Sequence, residues 1–257
     1  MNKSTLRTIS ILEYLAELKR PAGISQISRE LDIPKSSVFD IIQALLEKGF
    51  VEVDNDVQKT FKLGLRAFQI GSAYINNVSV YKIAHPILEK LKDEINETVY
   101  LAVEDKGRIV YLDKVESDSP IRSTCDIGST NLMHLTGLGK AMLAGYPEER
   151  VREITGGGSL EVRTPQTIKD YDSLLVHLKK IREKGYSIDD REDTELVCCV
   201  AAPIYDKSDN VIAAISVSML STKFTMEREK YISKRVVEKA LEISRKMGYM
   251  RDKLYDM

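Results

Sequence analysis

The chain has 257 residues, with 38 Lys and Arg against 39 Asp and Glu and a formal net charge of −1, so bulk charge alone does not attract it to a polyanion. Its 43% hydrophobic and 30% charged content suits a globular protein with room for one small and one standard domain. No apolar run approaches the ~20 residues that span a bilayer, Met1–Thr5 shows no signal-peptide pattern, and 3 cysteines make no disulfide framework, so a cytoplasmic protein without a membrane partner is expected.

Leu6–Leu18 reads as a helix with Ile9, Leu12, Leu15, Ala16 and Leu18 on its apolar side. Gly23–Gly49 reads as two short helices around a tight turn. Ser25 is placed as N-cap of Gln26–Leu31, Asp32-Ile33-Pro34 as the turn, and Pro34 in the first turn of the second helix. Val38, Ile41, Ile42, Leu45 and Leu46 form a single apolar stripe, and Gly49 stops the helix. This is a helix-turn-helix, whose second helix lies in the DNA major groove. Phe50–Val53 and Thr60–Leu63 read as strands around the turn Asp54-Asn55-Asp56, a hairpin that serves as a wing.

Several side chains here suit DNA contacts. Lys35, Ser36 and Ser37 open the second helix, where a cation, hydroxyls and free N–H groups meet phosphates or base edges. Gln43 lies off the apolar stripe and can read adenine. Lys59 and Lys62 sit on the wing as phosphate contacts, and Ser25, Gln26, Phe39 and Asp40 complete the candidate DNA-contacting set.

Gly64–Tyr74 reads as a helix with Leu65, Phe68 and Ile70 partly apolar, interrupted at Asn76-Asn77. A further helix follows over Val80–Ile95, with His85 before Pro86 at its start as a structural residue. Strands are expected at Thr98–Glu104, Arg108–Val115 and Ile121–Ile127, the first two joined by Asp105-Lys106-Gly107. Helices are expected at Leu138–Ala144, Glu148–Ile154 and Asp170–Lys184, with Gly156–Gly158 a loop and His177 a surface residue. Strands Leu196–Ile204 and Val211–Leu220 flank the turn Asp206–Asn210, and Thr225–Met247 closes as a long helix. The fold class is α+β: a winged helix-turn-helix at 1–64, a linker helix at 65–78, and at 79–257 an antiparallel sheet flanked by helices.

Period-two alternation along Val211–Leu220 puts Ala214, Ser216 and Ser218 on one face and Ala213, Ile215, Val217 and Met219 on the other. Small and hydroxylated side chains fill a core poorly but make a good cavity wall with hydrogen-bonding groups. Cys199 and Ala201 share a face of the neighbouring strand.

Together these segments resemble the IclR family of bacterial transcriptional regulators. The resemblance rests on Pro34-Lys35-Ser36-Ser37-Val38, Phe61-Lys62-Leu63-Gly64 and His134-Leu135-Thr136-Gly137-Leu138-Gly139-Lys140-Ala141. It rests equally on Gly185-Tyr186-Ser187-Ile188-Asp189-Asp190, Cys199-Val200-Ala201-Ala202-Pro203-Ile204 and Ala213-Ala214-Ile215-Ser216-Val217-Ser218, in that order. It implies a DNA-binding regulator, no catalysis and no cofactor. It also implies a C-terminal effector domain akin to GAF and PAS folds, and homodimers that pair into tetramers on operator DNA. The family positions matching Asp189, Cys199, Ser216 and Ser218 line the effector site, with the Gly137 and Leu138 amides facing the ligand. The hydrogen-bonding wall points to a small organic acid. Asp189 repels an acid unless protonated or bonded to a ligand hydroxyl, which favours a hydroxylated or keto compound. Asp40 departs from the basic residue the family commonly has there; it either accepts a hydrogen bond from cytosine N4 or faces away.

The competing reading is a GAF-like thiol redox enzyme, or a redox-sensing regulator, using Cys198 or Cys199, with Cys125 as the other thiol. A zinc site from His134, Cys198 and Cys199 is disfavoured, because adjacent strand residues point to opposite faces.

Overall fold

Apolar side chains recurring every three or four residues organise the N-terminal helices. In the computed structural model, which describes residues 3–55, 57–77, 79–120 and 125–255, α1 (Lys3–Leu18) buries Ile11 and Leu15. Helix α2 (Ile24–Glu30) buries Ile27, and α3 (Lys35–Glu47) buries Val38, Ile41, Ile42 and Leu45 in the same cluster. Ser25 is not the N-cap of α2: Gly23 holds that place without a side-chain bond, and Ser25 lies one residue inside the helix. Pro34 is likewise one residue earlier than expected, at the N-cap of α3. Gly49 does stop α3. Its φ of +72° lets its own N–H reach Leu46 O and the Phe50 N–H reach Leu45 O, the paired closure favoured by a left-handed residue.

The wing is a three-stranded sheet in the order β1-β3-β2, from β1 (Ala22–Gly23), β2 (Val51–Asn55) and β3 (Thr60–Leu63). Strand β1 spans 2 residues, too few for alternation to register in the sequence. The expected turn at 54–56 is displaced. Asn55 ends β2 and its side chain accepts the N–H groups of Val57 and Gln58, while Asp56 lies outside the described residues. Helix α4 (Leu65–Asn77) runs through Asn76-Asn77 without the expected interruption. Two compact units divide the chain, Met1–Asn77 and Val78–Met257, so α4 groups with the first.

The second unit is built on a six-stranded antiparallel sheet in the order β6-β5-β4-β9-β8-β7. Its strands are β4 (Thr98–Asp105), β5 (Arg108–Val115), β6 (Thr130–Leu132), β7 (Ser187–Asp190), β8 (Val197–Tyr205) and β9 (Val211–Leu220). The expected strand at Ile121–Ile127 is corrected. Residues 121–124 lie outside the described residues, Cys125–Ile127 are not strand, and the partner of β5 is β6. Helices α5 (Ser79–Ile95) and α9 (Met226–Lys246) pack together and against β4, β5, β8 and β9. Val99, Val217 and Val200 stand opposite one another across the central strands, fully buried.

Helix α6 (Gly137–Ala144) covers β7, β8 and β9 and is backed by α8 (Tyr171–Lys184); α7 (Glu148–Thr155) follows α6 in the chain. Gly139 sets how closely α6 meets the 3-10 turn at Met133–Leu135, because a Cβ there would overlap the Met133 backbone. Pro86 lies inside α5 rather than at its start, so His85 sits mid-helix, where its Nδ1 meets the buried Asp113 at 2.7 Å. His177 is half-buried on α8 rather than a free surface residue, and burial beside Lys140 lowers its pKa to about 4.

Candidate functional site

Two surfaces concentrate the candidate side chains, one in each unit. At 3.6 residues per turn, Ser36, Asp40, Gln43 and Glu47 share one strip of α3, opposite its buried stripe. Lys35 and Phe39 flank that strip, and Phe39 leaves 48% of its surface exposed. The first turn of α3 contains no acidic residue and no side-chain cap bond, so its N–H groups remain open to an anion. Asp40 is exposed among these residues and does not turn back toward the core. Ser25 is exposed on α2. Gln26 is tied down, its Nε2 donating to Tyr14 Oη at 2.9 Å.

On the wing, Lys59 is exposed in the turn with a φ of +50°. Lys62 is not an open charge. Asp54 at 3.1 Å and Glu52 at 3.5 Å hold it and raise its pKa, so a phosphate must compete with both.

In the second unit the register assembles a cavity. Asp189 of β7 stands opposite Cys199 of β8, and Cys199 opposite Ser218 of β9. One pleat along, Ala201 stands opposite Ser216, and Ser216 opposite Tyr100 of β4. Side chains two residues apart share a face, so both rows line one side of the sheet. The first turn of α6 lies above them, leaving a cavity of about 230 Å³. That is smaller than the usual volume of a drug-sized site. Gly137, Leu138, Asp189, Cys199, Ser216 and Ser218 all line it. Thr136 caps α6 by accepting the Gly139 N–H at 3.0 Å, and Gly137 and Leu138, in the first turn of α6, line the space.

Sequence reasoning missed Tyr100, Tyr111, Cys125, Asp193, Thr194 and Val197 on the same wall. The two tyrosines meet edge to face at 5.4 Å, and the Cys125 N–H donates to Tyr100 Oη at 3.0 Å. Burial raises both phenol pKa values, so they present neutral hydroxyls. The alternation of Thr98–Glu104 does place Tyr100 on one face. Only the pairing of β4 with β9 assigns that face to the cavity.

Beneath the wall the fully buried Lys140 pairs with Glu192 Oε1, and the Glu192 N–H donates to Asp189 Oδ1 at 2.8 Å. Thr167 Oγ1 donates to Glu192 O at 2.6 Å. Burial pushes the Asp189 pKa up to about 7, against the opposing pull of Lys140 and the Glu192 N–H. Asp193 is bound by Arg163 Nη1 at 2.6 Å and by Asn131 Nδ2 at 2.9 Å.

The thiols are held in their neutral form. Burial pushes Cys198 up to about 12, aided by Asp190, and lifts Cys199 and Cys125 as well, so none supplies a thiolate at neutral pH. His134 Nε2 meets the Glu161 carbonyl at 2.9 Å, and Cys198 lies beside Asp190, away from the cavity that Cys199 lines. Among the described residues no three His, Cys, Asp or Glu side chains group to hold a metal ion, and no helix is long and apolar enough to cross a membrane.

Family models match most of the chain. Residues 4–55 match the IclR helix-turn-helix domain, and residues 72–245 match the C-terminal domain of bacterial IclR transcriptional regulators. The chain is 34% identical over 242 residues to the HTH-type transcriptional repressor AllR of Escherichia coli K12, covering 94% of this chain and 89% of AllR. The crystal structure of Thermotoga maritima IclR superposes with a TM-score of 0.81 at 32% identity, covering 96% of this chain and all (100%) of that one. The C-terminal domain of E. coli KdgR gives a TM-score of 0.61 at 31% identity, covering 67% of this chain and 100% of its own. The thiol-enzyme alternative is thereby set aside, since the matched family regulates transcription and does not catalyse. With a helix-turn-helix in one unit and the regulator's effector-binding domain in the other, this chain belongs to the IclR family of bacterial transcriptional regulators.

Proposed function

We propose that the chain binds operator DNA as a dimer, that dimers pair further on DNA, and that a small hydroxy or keto acid in the 230 Å³ cavity alters this binding. The observation that carries the proposal is the convergence of Gly137, Leu138, Asp189, Cys199, Ser216 and Ser218 on one cavity. The first turn of α6 offers N–H groups and the positive end of a helix dipole to a ligand carboxylate. Ser216, Ser218, Tyr100 and Tyr111 offer hydroxyls to a ligand carbonyl or hydroxyl. On the DNA side, Lys35, Ser36, Ser37, Phe39, Asp40 and Gln43 form the reading face, with Ser25 and Lys59 beside it. Residues 65–78 link this reader to the effector domain of residues 79–257. The relative AllR is a repressor, and we take repression as the direction here too.

The test combines calorimetry with footprinting. A screen of small hydroxy and keto acids is expected to find one that raises the melting temperature and changes protection of the upstream DNA. Protection should cover a pseudo-palindrome and weaken steeply with salt. Absence of protection at low salt on every upstream fragment would sink the proposal. Peroxide-dependent release that is lost on replacing Cys198 and Cys199 would favour the redox-sensing regulator instead.

A further inference from the structure

The charges around the cavity are one-sided. Asp189, from β7, is 3% exposed and lines the space. Among the described residues it has no ion pair, and its Oδ1 accepts the Glu192 N–H. The nearby cation from α6, Lys140, is fully buried and turned to Glu192. Asp193, from the segment after β7, is already met by Arg163 and Asn131. Strand β8 brings Cys199, and behind it Cys198, both as neutral thiols; Cys125 adds a third. Strands β4 and β5 bring neutral phenols, and β9 brings hydroxyls. Glu192 is already paired with Lys140 through Oε1 and its Oε2 is buried without a hydrogen-bond partner among the described residues, so Asp189 remains the carboxyl of the cavity with no ion pair of its own.

Geometry brings a ligand carboxylate into one cavity with Asp189. Gly137, Leu138 and Asp189 all line the 230 Å³ cavity, so the first turn of α6 and Asp189 border the same small volume. An acid held by the α6 amides therefore shares this 230 Å³ cavity with the Asp189 side chain. Two carboxylates in one low-dielectric site do not both stay ionised. We infer that Asp189 is the charge selector of the cavity: the site admits a monocarboxylate only together with one proton, carried on Asp189 and donated to the ligand, and excludes dicarboxylates. The proton comes from solvent, and no other bond is made or broken. The elevated pKa of Asp189, about 7, means that this proton is acquired near neutrality. The inference rests on the acid-effector reading above and specifies which acids satisfy it.

The test is calorimetry of the full chain with lactate, its neutral amide lactamide, and the dicarboxylate tartronate. Lactate binding should weaken about tenfold from about pH 7.5 to about pH 8.5, with uptake of about one proton measured in buffers of different ionisation heat. Lactamide should show no such slope. Tartronate should bind at least about tenfold more weakly than lactate throughout. In D189N, whose Oδ1 still accepts the Glu192 N–H, lactate binding should be flat with pH and take up no proton. A flat lactate profile in the native protein, a slope that survives in D189N, or equal affinity for tartronate overturns the selector while leaving an acid effector standing. If D189N fails to fold, the proton count of the native protein decides. Failure of lactate at every pH, with or without lactamide binding, removes the acid-effector reading and the selector together.

Discussion

If α3 reads DNA as proposed, Asp40 carries a carboxylate into the field of the phosphates. It is exposed on the strip that also carries Ser36 and Gln43. A carboxylate there lowers affinity for every duplex, and gains back only where a cytosine N4 donates to it. Replacing Asp40 by Ala should therefore strengthen binding to non-cognate DNA, while discrimination at one base pair falls by about 1–3 kcal/mol. Gel shifts on single-base operator variants check this; unchanged discrimination would mean that Asp40 reads nothing. Asp189 yields a second outcome at this scale. Its folded pKa of about 7 lies above the ordinary carboxylate value, so the native state holds the proton more tightly than the unfolded chain. Its penalty is absent below about pH 4, grows as the pH rises, and is complete above about pH 7. The D189N variant should gain roughly 2–4 kcal/mol relative to wild type between about pH 5 and about pH 8, read as denaturant midpoints at the two pH values.

Among the elements, β9 gives the cavity its two serine hydroxyls, Ser216 and Ser218. Its alternation separates a packed face, Ala213, Ile215, Val217 and Met219, from the cavity face of Ser216 and Ser218. Replacing Ser216 by Leu, at a position 1% exposed, should fill the cavity and abolish the ligand's effect on DNA. Ligand-free DNA binding should stay near normal, at an overpacking cost of about 1–3 kcal/mol. A Leu variant that still responds to the ligand would place the pocket elsewhere.

That strand also illustrates what could be read from the sequence. Helices α3, α8 and α9 and strands β4, β5, β8 and β9 carry enough periodic apolar residues to be recognised. Strands β1, β6 and β7 span 2, 3 and 4 residues, too short for a period to repeat, and they are fixed by pairing with longer neighbours. The apolar periodicity of Val80–Ile95 marks α5 to within one residue, but Pro86 suggests a helix start where the chain is mid-helix, because packing on the sheet outweighs the lost backbone bond. The Gly137, Asp189, Cys199, Ser216 and Ser218 positions were identified through family resemblance together with alternation on β9. Tyr100, Cys125 and Asp193 were not, because strand register and the path of a loop bring them there.

At the scale of the whole molecule, a chain of net charge −1 must bind DNA through a localised face, and one winged helix reads too few base pairs to select an operator. In the proposed dimer, a second copy would supply the missing half-site. Helix α4 supports this need: Leu65 and Phe68, one turn apart, leave 67% and 71% of their surfaces in water. Each buried large apolar side chain is worth about 1.5–3 kcal/mol, so burying these residues against a partner copy would strengthen a dimer substantially. Replacing both by Lys should leave the folded core of the first unit intact, because neither belongs to its buried cluster. The variant is expected to sediment as a monomer where the native chain sediments as a dimer or larger. It should lose pseudo-palindromic DNA by more than about tenfold while binding a half-site with the native half-site affinity. A double variant that remains dimeric would move the interface away from α4. One that becomes monomeric but keeps full operator affinity would separate dimerisation from operator selection altogether.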